Sequence, residues 1–153
     1  MTFSIVAHDP TNGDLGVAVQ SKFPNAGVSI PFAQAGVGAV ATQAYCNTGF
    51  GPRGLALLKN GATSQQALEI LISSETERDY RQVGIVDAQG RTAAFTGGKC
   101  FDWCGSVQGE GFTAQGNVLA GSGVVEAMAE TFSTSSGTLA ERLLTALAAG
   151  QAQ

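Results

Sequence analysis

Thr2 stands one residue behind a removable methionine, and its chemistry depends on that position. With Met1 gone, one residue carries both a hydroxyl nucleophile and a free α-amine able to take the hydroxyl proton. Both halves of a hydrolytic couple would then sit at the head of an alternating apolar strand, Phe3-Ser4-Ile5-Val6-Ala7. Asn12-Gly13 is the dipeptide of a tight hairpin, and Leu15 to Ser21 reads as the returning strand. Antiparallel pairing sets the far end of the second strand beside the start of the first. Thr2, Ser21 and Lys22 are therefore expected to converge, with Ser21 and Lys22 as electrostatic and proton-transfer support. Lys22 is expected to be buried there without a carboxylate partner. Thr42 and Gln43, at the exit of a third strand, join the cleft if that strand pairs alongside.

Other chemistries find less material in the chain. Gly105-Ser106-Val107-Gln108-Gly109-Glu110-Gly111 does not link a strand to a helix, and there is no Gly-Lys-Ser/Thr, so dinucleotide and phosphate-loop readings are weak. Cys46, Cys100 and Cys104 are too few for a disulfide framework. The spacing of Cys100 and Cys104, with His8 the lone histidine, supplies no four-ligand zinc site, so the thiols read as structural. His8, beside Asp9, reads as a solvated or turn-bonded side chain, and the acids form no recognisable pair. No metal and no cofactor are expected.

The 153 residues suit one domain with a true core, and the 21 glycines call for many tight turns or close backbone approaches. A net charge of −4 offers no footprint for nucleic acid or an anionic membrane. A small neutral or polar molecule is the easier partner. No apolar run approaches the roughly 18 residues of a spanning helix, and no signal peptide is evident, so the expected location is the cytoplasm. Periodicity predicts strands near 3–9, 15–22, 36–44, 82–87, 91–96 and 112–117, with helices near 52–60, 64–73, 123–132 and 139–149. Thr63 or Ser64 is the expected cap of the second helix, and Pro52 the first residue of the first. Strands, helices, strands, helices in that order argue a layered α+β domain rather than an alternating parallel sheet.

Several separated blocks also carry a resemblance: Ser4 to Ala7, Leu15 to Lys22, Gly36 to Tyr45, Gly51-Pro52-Arg53-Gly54 and Ala114 to Gly121. Together they resemble the DUF1028 family, assigned to the N-terminal-nucleophile (Ntn) hydrolase superfamily, over nearly the whole chain. The resemblance implies a four-layer αββα sandwich of two stacked antiparallel sheets, as in proteasome β subunits and N-terminal nucleophile amidohydrolases. It implies Thr2 as nucleophile. At the end of the second strand, where the proteasome carries an aspartate, the chain has Gln20-Ser21-Lys22. It places the oxyanion donors on the loop Cys46 to Gly51, through backbone N–H groups such as that of Gly49, with Asn47 or Asn117 adding a side-chain amide. Members of this family commonly continue beyond the point where this chain stops, so further strands are expected either to be absent or to come from another chain, which favours a homo-oligomer. The resulting reading is an amidohydrolase of a small amide, and the alternative is a silent module of the same fold that holds a polar ligand in the cleft.

Overall fold

The computed structural model describes all residues 1–153. The chain forms eight strands and five helices. In order they are β1 (Thr2–His8), β2 (Leu15–Ser21), the one-turn α1 (Ala26–Ser29), β3 (Pro31–Gln34), β4 (Gly38–Ala44), α2 (Phe50–Lys59), α3 (Ser64–Ser73), β5 (Arg81–Asp87), β6 (Thr92–Thr96), β7 (Trp103–Gly109), β8 (Phe112–Leu119), α4 (Gly123–Thr134) and α5 (Leu139–Gln151). Two antiparallel sheets result, ordered β2-β1-β8-β7 and β3-β4-β5-β6. They stack face to face, with α4 and α5 outside the first and α2 and α3 outside the second. This is the four-layer αββα sandwich.

Alternation along each strand decides which layer a side chain enters. On β1, Phe3, Ile5 and Ala7 join the apolar cluster beneath α4 and α5, and on β8 Phe112 and Ala114 do the same. Val40, Val83 and Ile85 build the matching cluster under α2 and α3. α3 and α5 start where a side chain satisfies the first free N–H groups. Thr63 caps α3 in a reciprocal box with Gln66, and Thr138 caps α5 with Glu141. α2 starts at Phe50, two residues earlier than periodicity predicts, and Pro52 lies in the first turn, where no amide donor is needed.

The layer between the sheets is different. Its apolar part is a cluster of only 6 buried residues, including Val6, Ala39, Ala41 and Val86. The remainder is polar: Ser4, Gln43, Gln82, Thr113, Gln115 and Asn117 are all buried there. A buried amide without partners would cost about 1–3 kcal/mol, and these have partners. Gln43 Oε1 accepts from Ser4 Oγ at 2.7 Å, and Gln43 Nε2 donates to Gln82 Oε1 at 2.8 Å. Gln115 Nε2 donates to Ser4 Oγ at 2.7 Å, while Gln115 Oε1 accepts from Thr113 Oγ1 at 3.0 Å. Gly84 on β5 makes the room, since a Cβ there would collide with the Gln115 amide.

Two strands lie outside the set that periodicity predicts, β3 and β7. β3 is 4 residues long and begins with Pro31, and β7 contains the glycine-bearing Gly105 to Gly109 stretch. Each occupies a sheet edge, where pairing on one side tolerates weak strand formers.

Candidate functional site

All four hairpin connections, β1–β2, β3–β4, β5–β6 and β7–β8, close at one end of the sandwich, leaving the start of β1 and the ends of β4 and β8 at the other. A cleft of about 710 Å³ opens there. The register places Thr2 between Ser21 on β2 and Asn117 on β8. Thr2 is on the inner face with Ser4 and Val6, and its Oγ1 lies 2.8 Å from Ser21 Oγ. Ser21 also accepts the Phe23 N–H at 3.0 Å and donates to the Met1 carbonyl at 3.4 Å. Either hydroxyl of the Thr2–Ser21 pair can be the donor, so a proton can pass between them in either direction.

Asn117 lines the cleft from the opposite side of Thr2. Its Nδ2 donates to Gln82 Oε1 at 2.9 Å, and its Oδ1 takes no hydrogen bond within the chain. Gln82 in turn is fixed by its two amide protons, shared among the carbonyls of Gly116 at 2.8 Å and Gly105 at 3.2 Å and Thr96 Oγ1 at 3.0 Å. The polar layer between the sheets thus runs directly into the floor of the cleft, and Gln43 belongs to both.

Three expectations are corrected by the geometry. Lys22 lines the cleft but is exposed at its rim rather than buried. Thr42 is fully buried on the helix side of β4, where its hydroxyl donates to the Asn47 carbonyl, because the period of two sends it away from the face that Gln43 occupies. Asn47 and Gly49 are consumed by their own loop. Asn47 Oδ1 accepts the Gly49 N–H at 3.0 Å, and Asn47 Nδ2 donates to Glu75 Oε2 at 2.8 Å. The Phe50 N–H is taken by the Asn47 carbonyl. In that loop it is Cys46 and Thr48 that line the cleft, and their backbone N–H groups stay outside the loop's own hydrogen bonds.

A charged group backs this loop without entering the cleft. The Glu75 carboxyl is held below its ordinary range by the Glu77 N–H and by Asn47, and it lies 3.4 Å from Arg81 Nε. Arg81 Nη1 donates to the Tyr45 carbonyl at 2.6 Å, pinning the chain where it leaves β4. The Cys46 thiol is pushed up by burial, against the weaker opposing effects of Thr42 and Arg81, which removes it as a competing nucleophile at neutral pH. No three His, Cys, Asp or Glu side chains come together to hold a metal ion.

Two features of the cleft have no obvious signal in the sequence. Ala44 and Val118, at the ends of β4 and β8, both line it and both have left-handed backbone, with φ of 65° and 56°. That region costs an ordinary residue roughly 1–2 kcal/mol and makes a β-branched one an outlier. The mouth is also unusually apolar for a surface: Phe23, Tyr45 and Phe101 line it and are exposed by 71%, 53% and 52%. Tyr45 and Phe101 meet edge to face at 5.7 Å.

Comparison with known proteins agrees with this architecture. A protein from Silicibacter pomeroyi with a crystal structure, itself described as a DUF1028 protein, superposes with a TM-score of 0.95 at 36% sequence identity. The match covers 99% of this chain and 67% of that one. No curated protein matches the sequence. The model of DUF1028, described as a family of unknown function, matches residues 2–153, and the chain belongs to that family.

Proposed function

We propose that the protein is an N-terminal-nucleophile hydrolase of a small amide, with Thr2 as nucleophile once Met1 has been removed. The observation that carries this reading is the placement of Thr2 Oγ1 on the inner face of β1, at the cleft and 2.8 Å from Ser21 Oγ. Loss of Met1 leaves the α-amine of Thr2 in the position of the old peptide bond and releases the Ser21 hydroxyl and the Lys22 N–H from the Met1 carbonyl. The amine takes the Thr2 Oγ proton, directly or through Ser21, as Oγ bonds to the substrate carbonyl carbon. The carbonyl electron pair moves onto oxygen, to which this reading assigns the N–H groups of Cys46 and Thr48, two residues that line the cleft and whose N–H groups have no partner within the chain. Collapse breaks the C–N bond, the leaving amine takes the proton from the α-ammonium, and water then hydrolyses the Thr2 ester with the same amine as base. Asn117 Oδ1 accepts from the α-ammonium or from the substrate N–H. No cofactor enters the scheme.

The reading places the protein in the cytoplasm as a homo-oligomer acting on a small molecule, with neither nucleic acid nor membrane as partner. A net charge of −4 argues against nucleic acid as a partner, and no helix is long and apolar enough to cross a membrane.

The second reading is a binding module without turnover, and Met1 favours it. Met1 packs against the cluster under α4 and α5 while its carbonyl accepts from Lys22 and Ser21. Mass spectrometry of the N-terminus, coupled to an amide-hydrolysis screen, decides between them. Turnover that appears only in chains beginning at Thr2 supports the hydrolase. Uniform retention of Met1 without turnover supports the binding module.

A further inference from the structure

We infer that the cleft is built for an amide whose acyl group carries a ring-sized apolar side chain and whose remainder is neutral or anionic, never cationic; this rests on the hydrolase reading for the reaction but not for the binding. Three independent observations lead there. Phe23, Tyr45 and Phe101 are three of the six large hydrophobic residues the surface exposes, and all three stand at this one mouth. Isolated exposed apolar residues need no explanation, but a cluster around a concave polar floor is the pattern of a ligand site. Next, Ala44 and Val118 keep their methyl groups at backbone angles that favour glycine, and both line the same cleft. Glycine would relieve the backbone there, and what it would remove is apolar wall. Strain of this kind gathers at ligand clamps.

Charge supplies the third observation. No carboxylate lines the cleft, and the ionic groups on it are both basic: Lys22 at the rim and the N-terminal amine. An ammonium entering this site would lose its water without gaining an anion, whereas a carboxylate would find Lys22. γ-Glutamyl amides, whose acyl group bears an ammonium beside its carboxylate, are disfavoured because Lys22 answers only the carboxylate and the ammonium is left without an anion. The two walls divide the substrate: the ring lies on Phe101 and Val118, the scissile carbonyl meets Thr2, and a carboxylate on the leaving side reaches Lys22.

Binding to the Thr2→Ala chain, measured calorimetrically, tests the assignment with no chemistry in the way. The probes are phenylacetylglycine, its uncharged glycinamide counterpart, acetylglycine and γ-glutamylglycine. Phenylacetylglycine is expected to bind at least about ten-fold more tightly than acetylglycine or γ-glutamylglycine, the order expected for burying one aromatic ring. Phe101→Ala and Val118→Gly should each weaken phenylacetylglycine about five- to ten-fold and leave acetylglycine within about two-fold, since both remove apolar wall only. Lys22→Ala should weaken phenylacetylglycine about three- to five-fold and leave the glycinamide unchanged, as for one exposed ion pair. Phe101 and Lys22 are exposed, so those two variants keep the fold. Equal or tighter binding of γ-glutamylglycine, no binding of either ring compound, or indifference of phenylacetylglycine to Phe101→Ala overturns the inference. Binding in the expected order with no turnover by the Met1-free native chain removes the hydrolase reading and leaves the ligand class standing.

Discussion

The two ends of the sandwich solve the same backbone problem in opposite ways. At the turn end the four hairpins need left-handed residues, and Gly13, Gly36, Gly90 and Gly111 provide them with φ between 69° and 80°. At the cleft end the left-handed positions are Asn25, Ala44, Asp102 and Val118, and no glycine relieves them. Carboxylates stand at both ends, but none enters the cleft, and Glu75 only backs its loop through Asn47. Asp9 and Asp87 lie at the turn end, each tied down by hydrogen bonds. The turn end is arranged for stability. The cleft end retains strain and exposed apolar surface, which folding alone has no use for and a ligand does.

The largest expected effect is on the chemistry of the cleft. Thr2→Ala should reduce amide turnover by at least about a thousand-fold in initial-rate assays, while Thr2→Ser retains measurable activity because the hydroxyl and amine both survive. Thermal melting of both should match the native chain within a few degrees. Equal rates for Thr2→Ala and the native chain would leave the cleft end without its chemical role.

A smaller effect should come from Gln82, which joins the cleft to the rest of the molecule. Gln82→Ala strands Asn117 Nδ2 in a buried layer, leaves Gln43 Nε2 only the Gln115 carbonyl at 3.3 Å, and should cost about 2–4 kcal/mol in urea unfolding. Gly84→Ala drives a methyl into the same layer and should fall in a similar range. A loss within about 0.5 kcal/mol for Gln82→Ala would show that the amides contribute little.

Acid should act first through carboxyls that do not line the cleft. Burial pushes the Asp87 carboxyl up, but hydrogen bonds from Arg91, Gln89 and Ser64 outweigh it and leave the group below its ordinary range. Asp9 is lowered chiefly by the Thr11 hydroxyl and N–H, and Glu75 by the Glu77 N–H and Asn47. A carboxyl lowered by folding stabilises the native state fully above its unfolded value near 4, and that contribution disappears as pH falls through the lower folded value. Urea midpoints should therefore be flat from neutrality to about pH 5 and decline below about 4. Asp87→Asn should flatten part of that decline, and an unchanged profile would remove Asp87 from the account.

The smallest effect is the most direct test of the contrast between the ends. Gly13→Ala, at φ of 80° with open space around its Cβ, isolates backbone strain and should cost about 1 kcal/mol. Val118→Gly should leave stability within about 0.5 kcal/mol of the native chain or above it, because relief of strain offsets the added freedom of the unfolded glycine. Destabilisation of both to the same extent would mean that the two ends do not differ in this respect.

The sequence was legible where a local rule fixed the geometry. The hairpin at Asn12-Gly13 sets the register that brings Thr2 to Ser21, and Thr63 announces α3. It was illegible where neighbours distant in the chain decide. Gln82 looks like a solvent-facing strand residue, because an inward-facing glutamine makes sense only when the opposing sheet supplies partners, as Gly105, Gly116 and Asn117 do. Thr42 and Gln43 are adjacent letters with opposite destinations, so an error of one residue in phase exchanges the helix side for the cleft. Asn47 has the right chemistry for an oxyanion donor, but Glu75, 28 positions away, claims its amide. The left-handed turns of Ala44 and Val118 contradict the preferences of their own side chains.

The amide layer between the sheets also bears on how this scaffold could diverge. Two sheets joined by hydrocarbon can slide or separate slightly at modest cost, whereas the bonds that cross from one sheet to the other, Ser4 to Gln43, Gln82 to Gly116 and Asn117 to Gln82 at 2.7–2.9 Å, lose most of their attraction over a comparable displacement. The separation between the sheets is therefore a fixed dimension, and so is the width of the cleft floor that continues it. New ligands are accommodated by replacing residues around the mouth, on the segments that carry Phe23, Tyr45 and Phe101, while the spacing beneath the reacting bond stays the same from one ligand to the next.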